Sequence, residues 1–141
     1  MNTPTENLPY TGQCLCGSIK YQVEKIEPKM GHCHCSMCRK FHGAAFATFG
    51  EAFSKNFRWL EGEALLKSYR ANNDTIRQFC SNCGSSLTFS SPKYPQLIEF
   101  SLGTLDSIIP LKPDAHIFTA SKASWYDIMD NLPQYEQSRK K

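Results

Sequence analysis

Short stretches in which apolar and polar residues alternate recur along most of this chain. Within residues 18–23, apolar Ile19, Tyr21 and Val23 alternate with polar neighbours, which is the period of two typical of a half-buried strand. Comparable apolar segments, separated by turn residues, predict further strands over residues 44–50, 57–62, 65–70, 75–80, 86–90 and 98–103. The pattern predicts a mainly β domain of short strands.

Two other segments are expected to be helical. Residues 36–41 predict a single helical turn with Ser36 as its N-terminal cap, and Gly43 is expected to end it. The start of such a turn directs backbone N–H groups toward nearby thiolates and lowers their pKa. Residues 123–128 predict a second short turn. Three aromatic residues are expected in the core: Phe46, Phe49 and Trp125.

Length and charge place this chain among ordinary single-domain proteins. Its 141 residues suit one domain, expected over residues 11–135, and its formal net charge is +3. Residues 1–10 are expected to be a disordered lead, because they carry no secretory signal pattern. The basic tail, residues 136–141, is expected to be a solvated end rather than a nucleic-acid arm. Neither nucleic acid nor a membrane is therefore an expected partner.

The cysteines are the most informative residues. There are seven, an odd number that leaves one unpaired in any disulfide framework. Without an export signal, a cytoplasmic location is expected, and clustered cysteines in a reducing compartment indicate metal binding. They fall into three groups: Cys14 and Cys16; Cys33, Cys35 and Cys38; and Cys80 and Cys83.

Residues 32–38 carry the densest chemistry of the chain. Cys33, Cys35 and Cys38 lie within six residues, and His32 and His34 flank the first of them. One short loop with this spacing can wrap a zinc ion and supply three ligands. Three protein ligands leave the fourth position open, as in catalytic zinc sites. The two histidines, with His42 beyond the loop, are candidates for a fourth ligand or a proton relay, or for plain structural hydrogen bonds.

Seven thiolates divide as four plus three in either of two ways. A closed structural zinc joins segments that are distant in sequence, which favours Cys14, Cys16, Cys80 and Cys83. The rival division pairs the two Cys-x-x-Cys steps, Cys35–Cys38 and Cys80–Cys83, as a zinc ribbon. That arrangement would leave Cys14, Cys16 and Cys33 as a scattered trio, so the first division is preferred.

Three motifs in order carry a resemblance to a known family. They are Gly12-x-Cys14-x-Cys16-Gly17, then Cys33-His34-Cys35-Ser36-x-Cys38-Arg39-Lys40, then Phe79-Cys80-x-x-Cys83-Gly84. His116, Ser121-Lys122-Ala123 and Leu132-Pro133 extend the match toward the C-terminus. The chain resembles the glutathione-dependent formaldehyde-activating enzyme family, the domain shared with centromere protein V. The resemblance implies an Mss4-like β-tent of short antiparallel strands around a structural zinc clip.

The resemblance also implies ligands and chemistry. It implies two zinc ions per chain, a structural one on Cys14, Cys16, Cys80 and Cys83, and a second one on Cys33, Cys35 and Cys38. The activity implied is a carbon–sulfur lyase run in reverse, which condenses glutathione or a related thiol with formaldehyde or another small aldehyde. Three thiolates make zinc a weaker Lewis acid than three histidines do, so thiol activation suits this site better than making hydroxide.

Two questions remain open at this level. Arg39, Lys40 and His116 are candidate substrate-binding residues, since a basic pair could attract anionic glutathione and His116 could line the pocket. A solvated basic pair and a structural histidine are the alternatives. The same fold also serves as a non-catalytic zinc-binding interaction module. An enzyme is favoured because a binding module would be expected to carry a longer basic extension or a broad charged face.

Overall fold

A computed structural model describes residues 8–139. Within that range the chain forms ten β-strands and one α-helix. The strands are β1 (Tyr10–Gln13), β2 (Lys20–Val23), β3 (Gly31–Cys33), β4 (Ala47–Phe53), β5 (Phe57–Glu61), β6 (Leu66–Arg70), β7 (Ile76–Cys80), β8 (Ser86–Ser90), β9 (Leu97–Ser101) and β10 (Ala115–Ile117). The helix is α1 (Ser36–His42). The predicted lead and tail lie partly outside the described residues, at 1–7 and 140–141.

The described strands form two sheets. The smaller has the order β1-β2-β5 and is antiparallel throughout. The larger has the order β10-β3-β4-β9-β8-β7-β6. Its pairs are antiparallel except for β10 and β3, which run parallel. The mainly β fold of short strands that the alternating pattern predicted is confirmed.

The largest apolar cluster lies between the two sheets. Tyr21 on β2 is fully buried, stacks on Phe57 with 5.2 Å between ring centroids, and also meets Phe100 of β9. Its hydroxyl lies 2.7 Å from Thr104 Oγ1, so the one polar atom of the ring is satisfied. Burial raises the pKa of Tyr21. Burying an aromatic side chain of this size is worth a few kcal/mol, roughly 1.5–3 for a residue such as Phe.

Two smaller apolar clusters each surround a group of cysteines. One packs Ile19 and Leu87 around Cys14 and Cys80. The other packs Phe49 against Cys33 and Cys38. Each group of thiols is therefore bordered by apolar side chains, and the low local dielectric strengthens electrostatic interactions at the sulfur atoms.

Several predictions about single elements were wrong or incomplete. The strand predicted over 44–50 is β4, which starts only at Ala47 and runs on to Phe53 along β9. The segment 123–128 contains a turn at 124–125 rather than a helix, and the Lys122 ammonium donates to the carbonyls of Ala123 and Tyr126 on either side of that turn. Trp125 was expected in the core but is 71% exposed.

The helix differs from the prediction in its cap, and it is short. Cys35 is the N-cap residue where Ser36 was expected, and Gly43 ends the helix in the left-handed region, as predicted. No helix among residues 8–139 combines the length and apolar character that crossing a bilayer would require.

Candidate metal centre

Four cysteines meet where the turn between β1 and β2 approaches the end of β7 and the turn that follows it. The sulfur atoms of Cys14, Cys16, Cys80 and Cys83 all lie within 4.8 Å of one another. Cys14 and Cys16 sulfurs are 3.6 Å apart, and Cys16 and Cys80 sulfurs 3.9 Å apart. A tetrahedral zinc with Zn–S bonds of about 2.3 Å requires sulfurs ~3.8 Å apart. The spacing therefore fits a closed four-thiolate zinc site.

Hydrogen-bond donors surround these sulfurs as they would surround thiolates. The Ile19 backbone N–H donates to Cys14 Sγ at 3.3 Å, and that of Cys83 donates to Cys80 Sγ at 3.4 Å. Hydrogen bonds from Ser18 and Asn82 lower the pKa of Cys16 to about 5. Donors aimed at sulfur stabilise the anionic form that a metal requires.

A second group of cysteines lies at the start of α1. Cys33 ends β3, Cys35 caps the helix and Cys38 lies in its first turn, and their sulfurs are all within 4.8 Å of one another. The Cys38 backbone N–H donates to Cys35 Sγ at 3.2 Å. The Cys-x-x-Cys step thus works as a helix cap in which sulfur replaces the usual hydroxyl or carboxylate oxygen.

The structure groups the seven thiols as four plus three. The sulfurs of Cys35 and Cys38 group with Cys33 and not with Cys80 and Cys83, so the zinc-ribbon division is not formed among the described residues. Both groups offer donor sets that suit zinc, one closed and one with three thiols. The chain therefore has two cysteine clusters that could bind zinc.

The three thiols of the second group do not ionise alike. Hydrogen bonds from the Cys33 and Cys38 side chains lower the pKa of Cys35, and the Cys38 N–H and the nearby Arg77 charge lower it further. Donation to Cys35 raises the pKa of Cys33, and burial adds to the rise. The surroundings therefore favour the thiolate form at Cys35 and the thiol form at Cys33.

Arg77 on β7 is the cation of this site. Both terminal guanidinium nitrogens donate to Cys38 Sγ, at 3.6 and 3.7 Å. The side chain is only 4% exposed, and its guanidinium lies 5.5 Å from the Phe41 ring centre and 4.8 Å from that of Phe89. A buried arginine needs a counter-charge, and the thiolate cluster supplies it.

A cavity of about 280 Å³ opens beside the three thiols. Its walls are mainly apolar, with three polar groups besides the thiols, contributed by Asn73, Arg77 and Glu99. The remaining lining residues are Met37, Phe49, Phe89, Ile117 and Phe118. A largely apolar cavity with a few convergent polar groups is the usual form of a small-molecule site.

Two buried histidines form a chain that ends on a carboxylate. His34 Nε2 lies 2.8 Å from His116 Nδ1, and His116 Nε2 lies 3.0 Å from Asp130 Oδ2. Because a carboxylate only accepts hydrogen bonds, His116 Nε2 donates to Asp130, which leaves His116 Nδ1 to accept from His34 Nε2. Burial lowers the pKa of His34 to about 4, which keeps that ring neutral.

The hydrogen-bonded row of His34, His116 and Asp130 anchors the cysteine loop to the C-terminal segment. The His34 backbone N–H donates to the Ile117 carbonyl at 2.9 Å, and Ser121 Oγ donates to the His34 carbonyl at 3.1 Å. His32 lies beside His116, and its Nδ1 is 2.7 Å from Thr48 Oγ1. Neither His32 nor His34 belongs to a cysteine cluster.

The structure places the predicted substrate-binding residues away from the thiol cavity. Arg39 and Lys40 follow Cys38 on α1, and Lys40 lines a separate, larger cavity of about 630 Å³ together with His42. His116 is 1% exposed and lies within the histidine chain. Among the described residues that line the thiol cavity, none of these four appears.

Sequence reasoning missed the residues that complete this site. Arg77 and Glu99 come from β7 and β9, which are far from Cys33 in sequence. A charged residue in the middle of an apolar strand was the available signal, and it applies to Arg77 in residues 75–80 and to Glu99 in residues 98–103. Buried charges need a partner, so each of them indicated a polar site.

Comparisons with known proteins agree with one another. The family model described as glutathione-dependent formaldehyde-activating enzyme matches residues 9–121. A Halomonas elongata protein named "Putative glutathione-dependent formaldehyde-activating enzyme" is 28% identical over 124 residues, which cover 83% of this chain and 79% of that protein. An uncharacterized lyase of Schizosaccharomyces pombe is 32% identical over 128 residues, which cover 89% of this chain and 90% of that protein.

A solved structure has a similar fold. The crystal structure of a Rhodobacter sphaeroides protein superposes with a TM-score of 0.61 at 24% identity. The match covers 71% of this chain and 91% of that one. At this identity the similarity concerns the arrangement of strands and not the chemistry.

Proposed function

The chain belongs to the glutathione-dependent formaldehyde-activating enzyme family, and we propose that it joins a thiol such as glutathione to formaldehyde or another small aldehyde. The product is the S-hydroxymethyl adduct or its homologue, so the activity is that of a carbon–sulfur lyase read in reverse. The observation that carries the proposal is the cavity of about 280 Å³ beside Cys33, Cys35 and Cys38.

Two zinc ions per chain are part of the proposal. Cys14, Cys16, Cys80 and Cys83 would hold a structural zinc, since they join strands far apart in sequence. Cys33, Cys35 and Cys38, which line the cavity, would hold the second. Zinc bound there would supply a soft Lewis acid, suited to binding a thiol sulfur or polarising an aldehyde oxygen.

The chain's own residues prepare the site for a thiol and an aldehyde. Phe49, Phe89 and Ile117 give the cavity apolar walls, and an apolar environment strengthens each polar interaction inside it. Arg77 offsets the negative charge that three thiolates would otherwise accumulate. An adjoining groove of about 390 Å³ shares Cys33 and Phe49 with the cavity and leaves room for the rest of a thiol substrate.

The size of the cavity favours a small carbonyl compound. Liquid water takes about 30 Å³ per molecule, and sites for drug-sized ligands run from roughly 300 Å³ upward. A cavity of about 280 Å³ therefore holds a small aldehyde and a thiol end together, and not a bulky second substrate.

The test compares Cys35→Ser with the unaltered protein. Cys35 is only partly buried, so a serine there is expected to fold. We expect two zinc ions per chain in the reduced protein and one in the variant, together with loss of the acceleration of adduct formation over the uncatalysed rate. An exposed-serine control, Ser54→Ala, is expected to behave like the unaltered protein.

Two outcomes would contradict the proposal. Full activity of Cys35→Ser would remove the thiol cluster from the reaction. Two zinc ions without acceleration for formaldehyde or any small aldehyde tested would favour a non-catalytic zinc-binding module instead.

A further inference from the structure

Four side chains stand in a row across the seven-stranded sheet. Arg77 on β7 pairs with Phe89 on β8, Phe89 pairs with Glu99 on β9, and Glu99 pairs with Glu51 on β4. Residues directly opposite each other on neighbouring strands project from the same face. Glu99 therefore lies on the face that carries Arg77 and its contact with Cys38.

Glu99 is placed between two very different neighbours. On one side is the apolar Phe89 ring, on which the Arg77 guanidinium lies at 4.8 Å from the ring centre. On the other side is Glu51, a second carboxyl group directly across the strand pair. Like charges placed opposite each other destabilise a sheet, so this pairing costs stability that a purely structural residue would avoid.

Glu99 is the single carboxyl group among the described residues that line the thiol cavity. Its carboxyl makes no hydrogen bond or ion pair within residues 8–139, and neither does that of Glu51 opposite it, whereas Asp114 and Asp130 are ion-paired. A carboxyl without a structural partner is free to exchange protons with a molecule in the cavity.

The surrounding charges set the proton affinity of Glu99. Burial raises the pKa of Glu99 to about 7, and the Glu51 carboxyl adds to the rise while Arg77 opposes it. The remaining groups that face it line the adjoining grooves. They are Lys93 and Tyr94 between β8 and β9, Lys29 before β3, and Arg139 near the C-terminus. A carboxyl that titrates near neutral pH can both accept and return a proton.

We propose that Glu99 is the general acid–base of the site, and this inference rests on the thiol–aldehyde reaction proposed above. The carboxylate takes the proton from the thiol as sulfur attacks the carbonyl carbon. The carbon–sulfur bond forms, and the π pair of the carbonyl moves to oxygen. The Glu99 carboxyl then gives its proton to that oxygen, so thiol plus aldehyde become the hydroxy thioether with Glu99 unchanged.

The first experiment compares zinc-loaded Glu99→Gln with Glu61→Gln as the matched control. Glu61 is exposed on β5 in the other sheet. General acid–base catalysis typically contributes 100- to 10,000-fold, so Glu99→Gln should lower kcat/KM by roughly 100-fold or more. The inflection near pH 7 in kcat/KM should disappear, while Glu61→Gln keeps both the rate and the inflection.

The second experiment measures the titration of the Glu99 carboxyl group directly. Carbon-13 NMR of zinc-loaded protein, with the Glu99 signal assigned by its absence in Glu99→Gln, should give a midpoint above pH 6. In Glu51→Gln both this midpoint and the inflection in kcat/KM should move to lower pH, because the like charge opposite Glu99 is gone. A residue with only a structural role would not transmit this shift.

The outcomes separate this inference from the proposed function. If the unaltered protein does not accelerate adduct formation over the uncatalysed rate, the proposed function is overturned and this inference falls with it. Active unaltered protein together with Glu99→Gln within twofold of it overturns the inference alone. Loss of zinc from Glu99→Gln, or a midpoint below pH 5, likewise overturns a role for Glu99 in proton transfer.

Discussion

Arg77 holds its guanidinium against Cys38, with its two terminal nitrogens 3.6 and 3.7 Å from the sulfur atom. These residues are 39 positions apart and come from a strand and a helix. The Phe41 and Phe89 rings both contact the guanidinium, with ring centres 5.5 and 4.8 Å from its carbon atom. The contact brings a fixed positive charge to a cluster of three thiols and makes the anionic form of that cluster less costly.

Replacing Arg77 should weaken the second zinc. Changing the partners of metal ligands typically costs 10- to 100-fold in metal affinity or activity, so Arg77→Met should lower the affinity of the three-cysteine site by at least about 10-fold. Arg77→Lys keeps the positive charge but loses the forked pair of donors. Its zinc affinity should therefore lie between those of the unaltered protein and Arg77→Met. Chelator competition on reduced protein measures this.

The control for Arg77 is Arg70→Met. Arg70 lies on neighbouring β6, with its side chain 63% exposed in a pair with Asp74. Exposed pairs contribute little, so its removal should leave both zinc affinities unchanged. Equal affinities in all three variants would contradict a role for Arg77 at the thiols.

The two cysteine clusters should respond differently to loss of one ligand. Cys83→Ser opens the cluster that joins the β1–β2 turn to the end of β7, and structural zinc contributes roughly 10 kcal/mol or more to folding in small domains. We expect Cys83→Ser to lower Tm sharply and Cys35→Ser to lower it little, because Cys35 belongs to one local loop. Thermal unfolding with metal analysis checks this. Similar Tm losses in both would argue against the division of roles.

His116→Ala should destabilise the protein through His34. The substitution leaves His34 Nε2 buried without its acceptor, which costs about 1–3 kcal/mol, and the cavity left by the imidazole adds to this. Urea unfolding at pH 7 measures the change. A change below about 0.5 kcal/mol would mean that the histidine chain does not support the loop.

Asp130→Asn tests the hydrogen bond between His116 and Asp130 through the pH dependence of stability. The hydrogen bond from His116 lowers the pKa of Asp130 in the folded state. Its contribution is therefore present above the unfolded pKa of about 3.9 and is lost as the pH falls through the lower folded value. The difference in Tm between this variant and the unaltered protein should accordingly be present at pH 6 and shrink below pH 4. A pH-independent difference would contradict the ionic contribution.

Glu99 should make the protein less stable as the pH rises. Burial and Glu51 raise its pKa to about 7 in the folded state, whereas an unfolded glutamate titrates near 4.3. Between these values the folded state holds more protons, so stability falls with increasing pH. Glu99→Gln should therefore have a higher Tm than the unaltered protein at pH 8 and a similar one at pH 4. A lower Tm at pH 8 would contradict this.

Gly62 should tolerate no side chain. Its φ is +76°, and a Cβ there would lie 2.0 Å from the Ser18 carbonyl oxygen. Gly43 has a φ of +61° with open space around it. Gly43→Ala should cost about 1–2 kcal/mol for the left-handed backbone alone, and Gly62→Ala distinctly more, because it adds the clash with backbone. Equal costs, measured by urea unfolding, would show that the backbone at Ser18 can move away.

The cysteine chemistry was readable from sequence because it depends on spacing along the chain. Cys33, Cys35 and Cys38 cluster through a cap and one helical turn, which local geometry alone enforces. The alternation over residues 18–23 identified β2, since burial of one sheet face selects every second residue. The prediction that Trp125 is buried was wrong because a single aromatic residue carries no periodicity, and its exposure depends on which residues pack against it.

Three short strands, β1, β3 and β10, were not predicted, and they show what local sequence patterns cannot identify. β3 and β10 have three residues each, and β10 reaches β3 from 84 positions away, as in the pair Ala115 and Gly31. Such pairs form because the rest of the fold brings them together, and a three-residue window carries no periodic signal of its own.

The sequence by itself determined the mainly β architecture, the seven thiols and their preferred division, because periodicity and ligand spacing are properties of neighbouring residues. Only the tertiary structure decided that Arg77 faces Cys38, that Glu99 stands opposite Glu51 beside the same cavity, and that Arg39, Lys40 and His116 do not line it. Strand pairing sets these relationships, and the register between distant strands follows from packing of the whole sheet rather than from any local pattern.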